Sequence, residues 1–115
     1  MSGHYAAGTR TEHKVRELLE AEGYVCARTA GSKGALDLLA VKPGELLMVQ
    51  VKRSGVLGPA GWNRLYELAV MAGAIPILAD APIRRPIVFY RLLARKDRPG
   101  ARQPFEVFLL DRVEV

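Results

Sequence analysis

The tetrapeptide Lys42-Pro43-Gly44-Glu45 lies between two β-prone runs, L-D-L-L-A-V and L-L-M-V-Q-V-K, and it constrains the fold more than any other feature of the chain. Pro-Gly is turn chemistry: proline presets φ at the first central position, and glycine tolerates positive φ at the second. A turn there makes the flanking runs an antiparallel hairpin and sets its register, with Val41 opposite Leu46, Leu39 opposite Met48 and Asp37 opposite Gln50. Directly opposed residues share a face, with Cβ atoms about 5 Å apart. Lys52 falls on the side of Gln50 and diagonal to Asp37, while Leu47, Val49 and Val51 face the other way into apolar packing. An acid, an amide and a lysine therefore converge at one end of an otherwise apolar hairpin. Two readings stay open: a site that holds a metal ion, or an Asp37–Lys52 ion pair at a sheet edge.

The rest of the chain supplies elements around this hairpin. Residues 1–8 are small and polar and are expected to be mobile. Thr9-x-x-Glu12 has the form of a capping box, so a helix is expected from Thr9, with Val15, Leu18 and Leu19 as its apolar stripe and Glu20, Glu22 and Gly23 at its close. Glu12 lies on the buried face at the open end of that helix. It either caps the helix or aims a carboxylate at the site. Residues 24–29 read as a strand. Residues 30–34, A-G-S-K-G, form a loop whose backbone can approach a phosphate closely. It lacks the rest of a Walker motif, so no nucleotide cofactor is expected. After a Gly/Pro loop over 54–61, residues 62–72 read as a helix stopped by Gly73. Residues 75–79 form a short buried strand, in which Pro76 marks a strand start or an edge. Residues 86–93 and 105–113 are two further strands. The sum is an α/β chain with one mixed central sheet flanked by helices, expected as a single domain over its 115 residues.

Composition narrows the function. No apolar run is long enough to span a membrane, and no basic flank with an apolar core marks a secretory signal. Cys26 is the one cysteine, among apolar neighbours, and reads as a buried structural residue in a reducing cytoplasm. The net charge of +5 points to nucleic acid, since Lys and Arg release counterions from a phosphate backbone. The excess is greatest over residues 84–102, where Asp97 is the sole acid. That stretch is either a DNA surface or a solvated face.

Phosphodiester hydrolysis needs an activated water and neutralisation of charge on the phosphate, and a divalent cation does both. Magnesium takes hard oxygen ligands and keeps several waters. Asp37 offers a carboxylate, Gln50 an amide oxygen, Val51 its backbone carbonyl and Glu12 a second carboxylate. Lys52 can orient water or stabilise the pentavalent phosphorus. His4 and His13 are too few for a zinc site, and no serine or cysteine nucleophile has a base beside it.

The segments G-T-R-T-E, L-L-E-A-E-G-Y, R-T-A-G-S-K-G-A-L-D-L-L-A-V, V-Q-V-K and G-A-I-P-I-L-A together resemble the PD-(D/E)xK nucleases, and within them the archaeal-type Holliday junction resolvases, which also occur in some phages. The resemblance runs over about residues 8–79. It implies a restriction-endonuclease-like fold and a homodimer in the cytoplasm of a prokaryotic or phage-infected cell. The implied activity is paired, symmetric nicking of four-way junction DNA with Mg2+, for which Mn2+ substitutes. Other nucleases of that superfamily, acting on flaps, ends or mismatches, and a non-catalytic DNA-binding subunit are the alternatives. The resemblance gives metal and catalytic roles to Glu12, Asp37 and Lys52, and a cleavage role to Ser32. It places Arg28 and Lys33 near the scissile strand. Arg10, His13, Arg53 and Arg64 complete the expected DNA-contact set. The chain departs from the family at Gln50, where a glutamate is usual, and at His13, where an arginine is usual.

Overall fold

The computed structural model describes residues 3–29, 36–53, 57–96 and 104–110, with the side chains of residues 3–9 outside the description. The chain runs α1 (Gly3–Ala21), β1 (Val25–Arg28), β2 (Leu38–Lys42), β3 (Glu45–Lys52), α2 (Pro59–Ala72), β4 (Ile75–Asp80), β5 (Val88–Leu92) and β6 (Phe105–Val107). The six strands form one sheet in chain order. All neighbours pair antiparallel except β3 and β4, which are parallel because α2 carries the chain back between them.

The hairpin register is the expected one, with Val41 opposite Leu46 and Leu39 opposite Met48. Gly44 takes φ 77°, the conformation for which the turn needs glycine. Alternation along β3 then serves both faces of the sheet. Leu47 and Val49 join Leu38, Ala40 and Ile77 beneath Val15 and Leu19 of α1. Met48 joins Leu36 and Leu78 beneath Trp62, Leu65 and Ala69 of α2. Cys26 is buried in the α1 layer, and burial first, then the Glu20 charge, raises its thiol pKa, as befits a structural residue.

Several expected element bounds change. Residues 3–8 are helical, so Thr9 lies inside α1 and is no N-cap, and the capping-box reading of Glu12 falls with it. A Thr-x-x-Glu spacing carries no helix start once the preceding residues, Tyr5-Ala6-Ala7 among them, can propagate the helix. α2 begins at Pro59 rather than Trp62: proline at the first position needs no hydrogen-bond donor, and Gly58 precedes it as N-cap. At its other end Gly73 takes φ 70° and returns its N–H to the last turn, the glycine stop that was expected. Pro76 marks a strand start and no edge, since β4 lies between β3 and β5 and β5 joins only from Ile77 onward.

β5 is shorter than expected, at Val88–Leu92, and β6 ends at Val107, although Phe108 still donates its N–H to the Phe89 carbonyl at 2.8 Å. The basic stretch 84–102 is not uniform. Arg84, Arg85 and Arg91 are exposed, Arg95 pairs with Glu67, and Lys96 is buried with its ammonium on the Leu57 carbonyl. Residues 97–103 lie outside the description.

Candidate active site

The site forms where β2 begins and β3 ends. Pairing of these strands stops at Leu38–Val49, so Asp37 stands at a bend just before β2, not on the strand itself as expected. The local hydrogen bonds give the reason. Asp37 donates its N–H to the Val49 carbonyl at 2.7 Å, and its own carbonyl accepts from Thr29 N–H at 3.0 Å. Its Oδ2 then accepts from the Val51 N–H at 2.7 Å. The carboxylate thus takes the place of a strand partner for a backbone donor that β2 no longer reaches. The same oxygen accepts from Gln50 Nε2 at 3.1 Å, so the expected Asp37–Gln50 neighbourhood holds through the side chains.

Gln50 is buried, and its Oε1 has no hydrogen-bond partner among the described residues. A buried amide oxygen without a partner costs roughly 1–3 kcal/mol, which a cation or its water removes on arrival. Lys52 is half-buried and by alternation lies on the α2 side with Gln50. Among the described residues there is no Asp37–Lys52 contact of ion-pair length, and β2 and β3 are interior strands, so the sheet-edge ion pair is not what the structure shows.

Glu12 comes from the α1 side. Its carboxylate is about a fifth exposed and accepts from Arg28 Nε at 2.9 Å. Both line a cleft of about 170 Å3 with His13, Arg16 and Leu38. Asp37 stands within electrostatic reach of both sides. Burial raises its carboxyl pKa above the ordinary value; the Val51 N–H opposes this, Glu12 adds to it, and Lys52 and Arg28 oppose it. Among the described residues no three His, Cys, Asp or Glu side chains cluster as a metal site. The donor set is two carboxylates and an amide oxygen, all hard oxygen ligands, which fits a magnesium-like cation and not zinc.

A raised carboxyl pKa has a stability consequence. The folded state binds the proton more tightly than the unfolded chain, so this contribution is fully present below the ordinary value of 3.8 and is lost as pH rises through the folded-state value. Asp37→Asn, whose amide oxygen can still accept from Val51, should therefore raise the metal-free melting temperature at neutral pH. The gain should vanish in acid. Calorimetry in chelator between pH 3 and 8 tests this; a variant less stable at pH 7 would show that the ionised carboxylate is favourable where it stands.

The other expected site residues distribute as follows. His13 is exposed at the rim of the Glu12 cleft and faces Glu17 at 3.5 Å. Arg10 and Arg53 line a second cleft. Arg64 is exposed on α2 and lines neither cleft. Ser32 and Lys33 lie outside the described residues. The sequence reading ended the fourth strand at Ala79 and so missed Asp80, whose Cα is paired with that of Lys52 across β3 and β4. Parallel register places the two on one face, a neighbourhood that sequence spacing alone does not reveal.

The sequence model of the archaeal Holliday junction resolvase family, Hjc, matches residues 3–100. This chain belongs to that family. Among curated relatives, the crossover junction endodeoxyribonuclease Hjc of Methanocaldococcus jannaschii is 43% identical over 79 residues, which cover 65% of this chain and 59% of that protein. The chain thus spans less than two thirds of that Hjc relative. Among solved structures, Hjc of Archaeoglobus fulgidus, a Holliday junction resolvase from an archaeal hyperthermophile, superposes with a TM-score of 0.68 at 26% identity over 80% of each chain. The restriction-endonuclease-like α/β fold expected from the motifs is the fold that this Hjc shares.

Proposed function

We propose that this chain is a structure-selective endonuclease that resolves four-way DNA junctions by metal-dependent hydrolysis of paired phosphodiesters. Asp37, hydrogen-bonded to Val51 and Gln50 beside a Gln50 Oε1 that has no partner among the described residues, carries the reading, in a chain of the Hjc family. Asp37, Gln50 Oε1, Glu12 and the Val51 carbonyl would hold the cation, Mg2+ by its preference for such oxygens and Mn2+ in its place. The bound cation supplies charge neutralisation at the phosphate and a more acidic water. Val51 and Gln50 fix the Asp37 carboxylate so that it need not reorganise. Lys52 orients the attacking water or offsets charge on the phosphoryl oxygens. Arg28 holds Glu12 in place and presents its guanidinium at the cleft. Arg10, His13, Lys33, Arg53 and Arg64 extend the backbone contacts, and Ser32 assists cleavage. Two symmetric nicks in a two-fold junction call for two such sites, hence a homodimer.

A fixed four-way junction, incubated with the protein with and without Mg2+ and compared with flap, nicked and linear DNA, tests the proposal. Paired nicks in the junction alone are expected. Preference for a flap or an end would make the chain another nuclease of this fold, and salt-sensitive binding without cleavage in either metal would make it a DNA-binding subunit.

Gln50→Glu tests the ligand set by itself. A carboxylate there adds a charge beside Asp37 and should raise Mg2+ affinity roughly tenfold or more, because unit charges about 4 Å apart interact by several kcal/mol at an effective dielectric near 20. In chelator the same variant should melt lower, as two carboxylates then face each other. Titration calorimetry with unchanged affinity would place Gln50 outside the ligands.

A further inference from the structure

Beside the acidic site lies a second cleft, of about 160 Å3, lined in part by Arg10 and Arg53, two of the residues given backbone contacts above. Arg10 and Lys14, one turn apart on α1, form one wall, and Arg53, the residue after Lys52, forms another. Pro82, Ile83 and Ile87, from the link between β4 and β5, give the cleft an apolar floor. The Ala81 N–H donates to the Lys52 carbonyl at 2.8 Å and ties this floor to the end of β3 that carries Gln50 and Lys52. The cleft therefore borders the acidic site and opens on the same end of the sheet.

Its charge is unbalanced. Among the described residues no carboxylate lines it, and Arg10, Lys14 and Arg53 enter no ion pair. The cleft around Glu12 differs: there Arg16 is paired with Glu20 and Arg28 with Glu12. Three like charges around one small cavity repel one another until an anion enters. The floor asks for something less polar, since Ile83 is 69% exposed. An anionic group attached to an aliphatic ring meets both demands, and a backbone phosphate with its deoxyribose is such a group.

We propose that this cleft is a strand-anchoring subsite, binding one backbone phosphate of the cleaved strand beside the scissile position and laying its sugar on Ile83 and Ile87. The assignment rests on the nuclease reading, which already gives Arg10 and Arg53 backbone contacts; it adds Lys14, joins the three on one phosphate and supplies an apolar seat for its sugar. Its function is register: a phosphate held here fixes which phosphodiester reaches Asp37 and Lys52.

The test is a neutral-phosphate scan. Four-way junctions carrying one methylphosphonate at successive positions around the cut are bound in chelator by the whole chain and by Lys14→Ala/Arg53→Ala. One position should weaken wild-type binding by about tenfold, as expected for loss of a charge-assisted contact, and leave the double variant unaffected. The dependence of log affinity on log salt should also be shallower by about one to two in the double variant. Arg84→Ala, a basic residue outside the cleft, should keep the position-specific sensitivity. Ile83→Ser should weaken binding several-fold with the salt slope unchanged. Equal sensitivity of wild type and double variant at every position overturns the subsite, as does wild-type affinity in the double variant. Because binding is read without metal, a protein that binds the junction but never cuts it refutes the nuclease reading while the scan still decides the cleft. A wild type with no affinity for DNA overturns both.

Discussion

Alanine at Lys52 is expected to leave four-way DNA bound and uncut, and alanine at Asp37 to do the same. Removing one preorganised group aimed at charge that develops in the transition state typically costs about 10²–10³-fold in rate. Asp37 should cost more than that range, because one carboxylate serves several groups here. It would be a cation ligand, and its Oδ2 also holds the Val51 N–H and the Gln50 amide in place. Binding should move the other way. Asp37→Ala removes a negative charge from a phosphate-binding surface and should bind junctions as tightly as wild type or tighter, whereas Lys52→Ala forfeits at most about one unit of salt slope. Groups that act together are non-additive, so the double variant should cut no worse than the poorer single one. Gel assays under single-turnover conditions, with binding measured in chelator, give both quantities. Nicking within tenfold of wild type in either variant would remove that residue from the chemistry.

How much of this arrangement was legible in the chain depends on how local its cause is. The hairpin register was readable because a single Pro-Gly turn sets it, and Gln50, Lys52 and the apolar alternation follow arithmetically. Where β2 stops was not readable. That depends on the Asp37 carboxylate competing successfully for the Val51 N–H, a choice made by side-chain geometry with the same residues in the same order. Glu12 shows the opposite error. Its spacing matched a capping box, yet the helix continues past Thr9 and the carboxylate bonds Arg28, a partner 16 residues away that no window around the helix contains. Charge counting could not tell the residues of 84–102 apart for a related reason. Lys96 lies buried, its ammonium 5.6 Å from the Trp62 ring centroid, and a lysine stem that packs while its head finds a carbonyl looks in sequence like any surface cation. The family motifs supplied what periodicity lacked at Asp37 and Lys52. They single out Arg10 and Arg53 as DNA contacts but neither join them with Lys14 in one cleft nor reach Asp80 beside Lys52, neighbourhoods that exist only once β4 is laid beside β3.

Trp62→Ala should be the most destabilising single substitution outside the site. The indole is fully buried beneath α2, packed with Leu65, Leu78 and Leu92, and 6.2 Å between centroids from Phe105. Its Nε1 donates to the Ala94 carbonyl at 2.7 Å, and the next residue, Asn63, both donates to the Lys96 carbonyl and accepts the Lys96 N–H. One helical turn thus pins the chain leaving β5 as well as filling the α2 layer. Truncating a buried tryptophan costs about 3–5 kcal/mol, a large share of the roughly 5–15 kcal/mol that holds a domain of this size. Trp62→Phe separates the two contributions. It keeps a six-membered aromatic ring but loses the donor and leaves a small void, so urea unfolding should report a loss of about 1–3 kcal/mol, below that of alanine. Were alanine and phenylalanine to cost the same, the Ala94 hydrogen bond and not the packing would be holding this face. The phenylalanine variant bears on function too. Leu78 is paired in register with Gln50 and packs under Trp62, so loosening that layer reaches the site through β4. Junction nicking by Trp62→Phe should therefore fail at a lower temperature than in the wild type while matching it in the cold. Loss of nicking at every temperature, with the fold intact, would instead mean that Trp62 positions the site directly.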